Sequence, residues 1–287
     1  MRIQLMTDGG ADIPQQLIEQ LQLEIVPLYL NFSDGEYKTG TTLKLADFHQ
    51  KVKELNEVPR SAAPSPNDFY EAYKKVPQDK PIIMLSLSKE LSSTYQNAVA
   101  AKNMILEAEP ERRIAVINTK TASGGIALLL HDLYGKIQAG DTFEQVVQHT
   151  KDRVGDTVTL FVLQTLDNLV RGGRISKVTG KIAKTLSIKL LMRGSEQGEI
   201  EVTERVRGEK RALKRFIQQI GEYTKSAENK SLFMTHCNSE SRAIKLLNDI
   251  KDKYSFKETF LTDIGPIIAT HGGDGAIVIA FFQDRNK

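Results

Sequence analysis

Hydroxyl-bearing side chains crowd a few short stretches of the sequence. These are Thr7-Asp8-Gly9-Gly10, Ser61-Ala62-Ala63-Pro64-Ser65-Pro66, and Ser86-Leu87-Ser88 followed by Ser92-Ser93-Thr94. Each falls where a strand is expected to end or a helix to begin. Helix starts offer free backbone N–H groups and a positive dipole end. A serine hydroxyl beside them can donate to an anionic oxygen without bringing a full charge, which suits a carboxylate better than a pyrophosphate. Ser and Thr ahead of a helix also serve simply as N-caps, and Ser-Pro-Asn-Asp is ordinary turn chemistry. Spacing leaves both readings open.

Other chemistries find no residues at the required spacing. The segment from Gly172-Gly173-Arg174 to Gly180-Lys181 fails as a phosphate loop, because Ile175 stands five before Gly180 and Ile182 replaces the Mg-binding Ser or Thr. Gly272-Gly273-Asp274-Gly275 leads into an expected strand, so it lacks the helix end that would cradle a pyrophosphate. Thr121 rather than Gly stands two before Ser123, which excludes a nucleophile elbow there. Among His49, His131, His149, His236 and His271 no two have metal-binding spacing, and the single Cys237 forms neither an internal disulfide nor a cysteine cluster. No metal and no cofactor is expected. An enzyme using Asp8, Ser92 and His271 as an acid–base set is a rival reading, although no activated nucleophile is visible.

These loops need a scaffold. Strands are expected at Ile3–Met6, Leu23–Phe32, Ile82–Leu85 and Ile114–Ile117, alternating with helices at Pro14–Leu21, Leu45–Leu55, Pro66–Val76, a long one from Tyr95, and Ser123–Lys136. Asp12 is a plausible cap for the first helix. The long helix is expected to turn Tyr95, Ala98, Val99, Ile105 and Leu106 to one side. Such alternation argues for a parallel sheet covered on both faces. A helix from Thr142 to Arg153 closes this half. Beyond Gly155-Asp156 the pattern changes to α+β. Strands are expected at Val158–Leu163, Ser187–Met192, Glu199–Val206, Leu232–Thr235, Phe256–Leu261 and Ala276–Phe282, with helices at Glu209–Tyr223 and Ser239–Tyr254. The expectation is therefore a two-domain α/β protein: a three-layer parallel-sheet domain over 1–155 and an α+β domain over 156–287.

With 287 residues, 40% hydrophobic and 26% charged, the composition is that of a globular chain able to bury about three-quarters of its unfolded surface. No stretch reaches the roughly 18 apolar residues of a membrane span, and the start is too polar for a signal peptide, so a cytoplasmic location is expected. Net charge is only +3. Yet Arg171, Arg174, Lys177, Lys181, Lys184, Lys189 and Arg193 form one basic run, and Arg205, Arg207, Lys210, Arg211, Lys214 and Arg215 a second. Charge runs are commonly solvated faces; the sharper reading is a docking surface for a partner or its phosphate. A nucleic-acid binder would need a reading motif, which is missing, and no nucleic acid is expected.

Six segments in order resemble the DegV family of bacterial fatty-acid-binding proteins, and the likeness runs over almost the whole chain. They are Thr7-Asp8-Gly9-Gly10-Ala11-Asp12-Ile13-Pro14, Ser61-Ala62-Ala63-Pro64-Ser65-Pro66, Leu91-Ser92-Ser93-Thr94-Tyr95-Gln96, Leu169-Val170-Arg171-Gly172-Gly173-Arg174-Ile175, Val206-Arg207-Gly208-Glu209-Lys210-Arg211-Ala212, and Ile264-Gly265-Pro266-Ile267-Ile268-Ala269-Thr270-His271. The resemblance implies a non-catalytic carrier that encloses one long-chain fatty acid between two domains. It also implies a partner, a separate ATP-dependent fatty-acid kinase subunit, to which the acid is presented for acyl-phosphate formation. Carboxylate-holding hydroxyls map to Ser61 and Ser92, with Thr94 in the same matching segment. Arg174 and Arg207 map to kinase docking or phosphate handling. His271 maps to a ligand-proximal position, and a structural role stays open for it. Gly9, Ser61-Ala62-Ala63 and Ser93 depart from the usual Ser, Thr-Ser-Gln and Gly, and Asn118-Thr119 from an Asp-Ser pair. Ser61 and Ser92 keep the hydroxyls.

Overall fold

The computed structural model describes residues 3–175 and 188–285. Lys177, Gly180, Lys181, Ile182, Lys184 and Ser187, which enter the sequence readings above, lie outside the described residues. In chain order the first elements are β1 (Gln4–Asp8), α1 (Gln15–Leu21), β2 (Glu24–Val26), β3 (Tyr29–Phe32), β4 (Gly35–Lys38), α2 (Leu45–Leu55), β5 (Arg60–Ala62) and α3 (Pro66–Lys74). There follow β6 (Ile82–Ser86), α4 (Thr94–Ala108), β7 (Ile114–Asn118), α5 (Gly124–Gln138), α6 (Phe143–Asp156), β8 (Thr157–Val162) and α7 (Asp167–Gly172). The last are β9 (Ile188–Gly194), β10 (Ile200–Arg207), α8 (Glu209–Tyr223), β11 (Ser231–His236), α9 (Glu240–Lys253), β12 (Glu258–Asp263), α10 (Pro266–Gly272) and β13 (Ile277–Phe282).

A four-stranded parallel sheet runs in the order β2-β1-β6-β7. Its strands are apolar on both faces because both are covered. Met6, Ile82 and Met84 face Phe69 and Tyr73 of α3 and Ala98 and Ile105 of α4, while the alternate residues Leu5, Ile83 and Leu85 face a second core. A six-stranded mixed sheet has the order β10-β9-β8-β13-β11-β12, antiparallel except for the β11–β12 pair. Leu160, Met234 and Ile279 pack beneath Phe216 of α8 and Ile250 of α9. Phe233, Val278 and Ala280 face the other way, into the core shared with the first sheet.

Helix α5 fills that shared core. Every residue from Gly124 to Leu130 is buried, and the helix touches β6 of one sheet and β8, β11 and β13 of the other. This first half of the helix has no solvent face to keep polar, whereas His131, Asp132, Lys136 and Gln138 follow in the second half. Gly125 permits the close approach: a Cβ there would lie 2.3 Å from Thr121 Oγ1 and 2.8 Å from Thr159 Oγ1. The expected division after Gly155 falls in the last turn of α6, so α5, which precedes it, packs on strands that follow it.

The structure corrects several expectations. The strand expected over Leu23–Phe32 is two: β2 pairs with β1, and β3 joins β4 and β5 in a separate antiparallel sheet. Pro27 between them has no N–H to give a ladder. Asp12 caps nothing; α1 starts after Pro14 without a side-chain cap, and Asp12 is buried elsewhere. The buried side of α4 is Thr94, Ala98, Ala101 and Ile105, and Tyr95, Val99 and Leu106 are only half-buried. β12 starts at Glu258 rather than Phe256. No helix among the described residues is long and apolar enough to cross a membrane.

Candidate functional site

A slot of about 1000 Å³, open mouth included, lies where the carboxyl ends of β6 and β7 meet the six-stranded sheet. That edge is where loops of a parallel sheet converge on ligands. Its walls are apolar: Leu87 and Leu91 after β6, Phe161 and Leu163 on and after β8, Ile264, Ile267 and Ile268 at α10, and Val278 on β13. Ser61, Ser92, His271 and Arg174 also line it, as do Lys120, Thr121, Ser123, Thr159 and Glu199.

Ser61 is held on β5, where it pairs with Leu30 of β3. The chain after it is tied to α4 by Asn97 Nδ2, which donates to Pro64 O at 2.7 Å, and Ser65 and Asp68 then close a capping box that starts α3. Thus Ser65 of this loop caps a helix, while Ser61 is left to face the slot. Ser92 stands just ahead of α4, and its Oγ lies 2.7 Å from Thr94 Oγ1. Thr94 is fully buried and is not among the lining residues, and its hydroxyl bonds that of Ser92.

His271 sits in the last turn of α10. Its Nε2 lies 2.9 Å from Ser61 Oγ, and its buried Nδ1 has no hydrogen-bond partner among the described residues. Burial, reinforced by the nearby Arg174 charge, lowers its pKa to about 4, so the ring is neutral at pH 7. When Nε2–H donates to Ser61, the serine hydroxyl is free to donate onward to an anion. Gly172 of α7 makes room for the ring: a Cβ there would meet His271 Nδ1 at 2.4 Å. Gly173, at φ 68°, ends α7 and turns Arg174 back, where Nε donates to Leu91 O at 3.2 Å and Nη1 to Gly172 O at 2.5 Å. Arg207 ends β10, is exposed, and is not among the lining residues.

The acid–base set Asp8, Ser92 and His271 is not assembled. Asp8 is buried off the slot and accepts from Gly10 N, Ser86 Oγ and Leu87 N, while His271 bonds Ser61. Burial outweighs these three donors and raises the Asp8 pKa to about 6.

A second buried carboxylate escaped sequence reasoning. Asp12 accepts from Ser123 Oγ at 2.5 Å and from Gly265 N, the residue just before α10, at 2.7 Å. Ser123 also lies 2.8 Å from Thr235 Oγ1, and its φ of 56° is unusual for a side chain with a Cβ. Burial drives the Asp12 pKa up to about 7, against the Ser123 and Gly265 hydrogen bonds. The only sequence signal was its place in a segment shared with the family.

The DegV family of uncharacterised proteins matches residues 2–284. The fatty acid-binding protein of Thermotoga maritima is 29% identical over 283 residues, 96% of each chain. A DegV family crystal structure from Ruminococcus gnavus, described with vaccenic acid, superposes with a TM-score of 0.90 at 30% identity, covering 98% of this chain and 99% of that one. The Streptococcus pneumoniae fatty acid kinase B3 protein, loaded with linoleic acid, has a TM-score of 0.88 at 25% identity, covering 99% of this chain and 100% of its own. With a family match over nearly every residue and the same fold throughout, this chain belongs to the DegV family.

Proposed function

We propose that this protein is a non-catalytic carrier that holds one long-chain fatty acid in the slot and presents its carboxylate to a separate ATP-dependent fatty-acid kinase subunit. The observation that carries this reading is the Ser61–His271 pair at a slot whose walls are mostly apolar, with Ser92 lining the same space. A neutral imidazole and two hydroxyls provide donors for one carboxylate, and Arg174 lines the same slot. Relatives named for vaccenic and linoleic acid support the ligand class, and the pneumococcal relative's name supports the kinase partner. No cofactor or metal enters the proposed role.

Magnitudes divide the labour. About fifteen methylenes at ~0.8 kcal/mol each give on the order of 12 kcal/mol of gross transfer free energy. A hydrogen bond to a carboxylate nets about 1.5–3 kcal/mol. The walls therefore dominate affinity, and Ser61, Ser92 and His271 set which end faces out. Native mass spectrometry of the purified protein tests this directly. An added mass equal to one fatty acid, lost on delipidation and regained on titration, supports it; delipidated protein that takes up no long-chain acid refutes it.

A further inference from the structure

We propose that His49, Cys237 and Asp274 form a binding site for one divalent metal ion of the zinc type. The three come from separate parts of the fold: His49 from α2, Cys237 from just beyond β11, and Asp274 from the turn between α10 and β13. A ring nitrogen of His49, the Cys237 sulfur and a carboxylate oxygen of Asp274 all lie within 4.8 Å of one another. No short-range motif joins them, so spacing along the sequence gives no sign of the group. None of the three lines the slot.

Two of the donors stand on fixed backbone. Cys237 N donates to Ala276 O at 3.0 Å and Gly275 N donates to Cys237 O at 2.8 Å, which clamps the thiol against the turn carrying Asp274. Gly273 and Gly275, at φ 71° and 76°, give that turn its shape. The Asn238 amide shows where the lone pairs converge. Its Nδ2 donates to His49 Nδ1 at 3.1 Å and to Asp274 Oδ1 at 2.9 Å, so one partly positive group already bridges two of the donors. A cation replaces that amide with a full charge.

Burial is the larger influence on both His49 and Cys237 and disfavours charge on either, while Asp263 and Asp274 set negative charge near both. The neighbouring Arg242 is committed, with Nη1 donating to Gly275 O at 2.6 Å and Nη2 paired with Glu209 at 2.7 Å. One imidazole, one thiolate and one carboxylate, completed by water, is a set that zinc accepts and that magnesium and calcium do not favour. Binding expels one proton from the Cys237 thiol to solvent and leaves His49 neutral. The bound ion would link α2 to the strands of the six-stranded sheet.

The test uses the full chain, free of any affinity tag and stripped with a chelator. Cobalt(II) added to it should give the near-ultraviolet band of a thiolate-bound metal, at one equivalent, and Cys237→Ser should abolish that band. Zinc affinity, measured by competition with a coloured chelator, should fall by about tenfold or more in His49→Gln and again in Asp274→Asn, since even outer-shell changes at zinc sites cost 10–100-fold. His49 is half-buried and Asp274 exposed, so both variants keep the fold, as circular dichroism checks. Absence of the band in the unaltered chain, or zinc affinity unchanged in both variants, overturns the proposal.

Discussion

Ser61 and His271 lie 210 residues apart, yet share a hydrogen bond at the slot. The hydroxyl-rich loops holding Ser61 and Ser92 stand out in the sequence because turn and cap residues cluster there. The bond between Ser61 and His271 is tertiary, and no local pattern encodes it. If the two serines orient the acid while the walls retain it, Ser61→Ala with Ser92→Ala should cut acyl-phosphate formation far more than lipid retention, measured by a coupled kinase assay and by mass spectrometry. A parallel fall of both would refute that division. Asp12 precedes a helix, where a cap would stand, and only the fold shows it buried. Its folded pKa of about 7 exceeds the roughly 3.9 of an unfolded Asp. Between those values the native state binds the proton and the unfolded chain does not, so stability falls as pH rises from about 4 to 7 and then levels. Asp12→Asn should flatten part of that slope, by on the order of a few kcal/mol, in denaturant titrations across this range. His271 acts oppositely: its lowered pKa makes stability fall as pH drops from about 6.5 toward 4.

Long elements were legible and short ones were not. The helices Leu45–Leu55 and Glu209–Tyr223 match their expected limits because each carries several turns of apolar periodicity. The strand β5 has three residues, and α7 and α10 have six and seven, too few to show a period. Yet these three carry Ser61, Leu169 and His271, so the least readable elements help to line the slot. Their placement depends on one close approach, Gly172 of α7 against the His271 ring of α10. Gly172→Ala would force a methyl to 2.4 Å from Nδ1, and the imidazole must move away from Ser61. Since Gly172 is helical, the backbone tolerates alanine. Acyl-phosphate formation should therefore drop about as far as in Ser61→Ala. The two changes together should do little more than either alone, because both break the same contact. Additive losses would place the effect elsewhere.

At the scale of the molecule, the two sheets share α5 and one continuous core. The alternation of strands and helices in the first half announced the parallel sheet; that α5 belongs equally to the second sheet is a matter of packing that periodicity cannot report. The basic clusters now separate by environment. Arg174 lines the slot, whereas Arg215, Lys189 and Arg193 are spent on Glu204 and Glu222, Glu209, and Glu201. Arg207, Lys210 and Arg211 remain exposed at the corner between β10 and α8. Charge reversal should distinguish the two arginines. If the acid's head group lies by Ser61 and His271, Arg174→Glu sets a second carboxylate on the same slot wall and should lower lipid retention as well as turnover. Arg207 is not among the residues that line the slot, so Arg207→Glu should leave retention unchanged. If the corner steers a kinase subunit, this second variant should slow acyl-phosphate formation most at low ionic strength. The deficit should shrink as salt shortens the Debye length from about 30 Å at 0.01 M to about 8 Å at 0.15 M, because screening removes steering but not chemistry. Turnover by Arg207→Glu equal to the unaltered protein's at every salt concentration would reduce the corner to a solvated face.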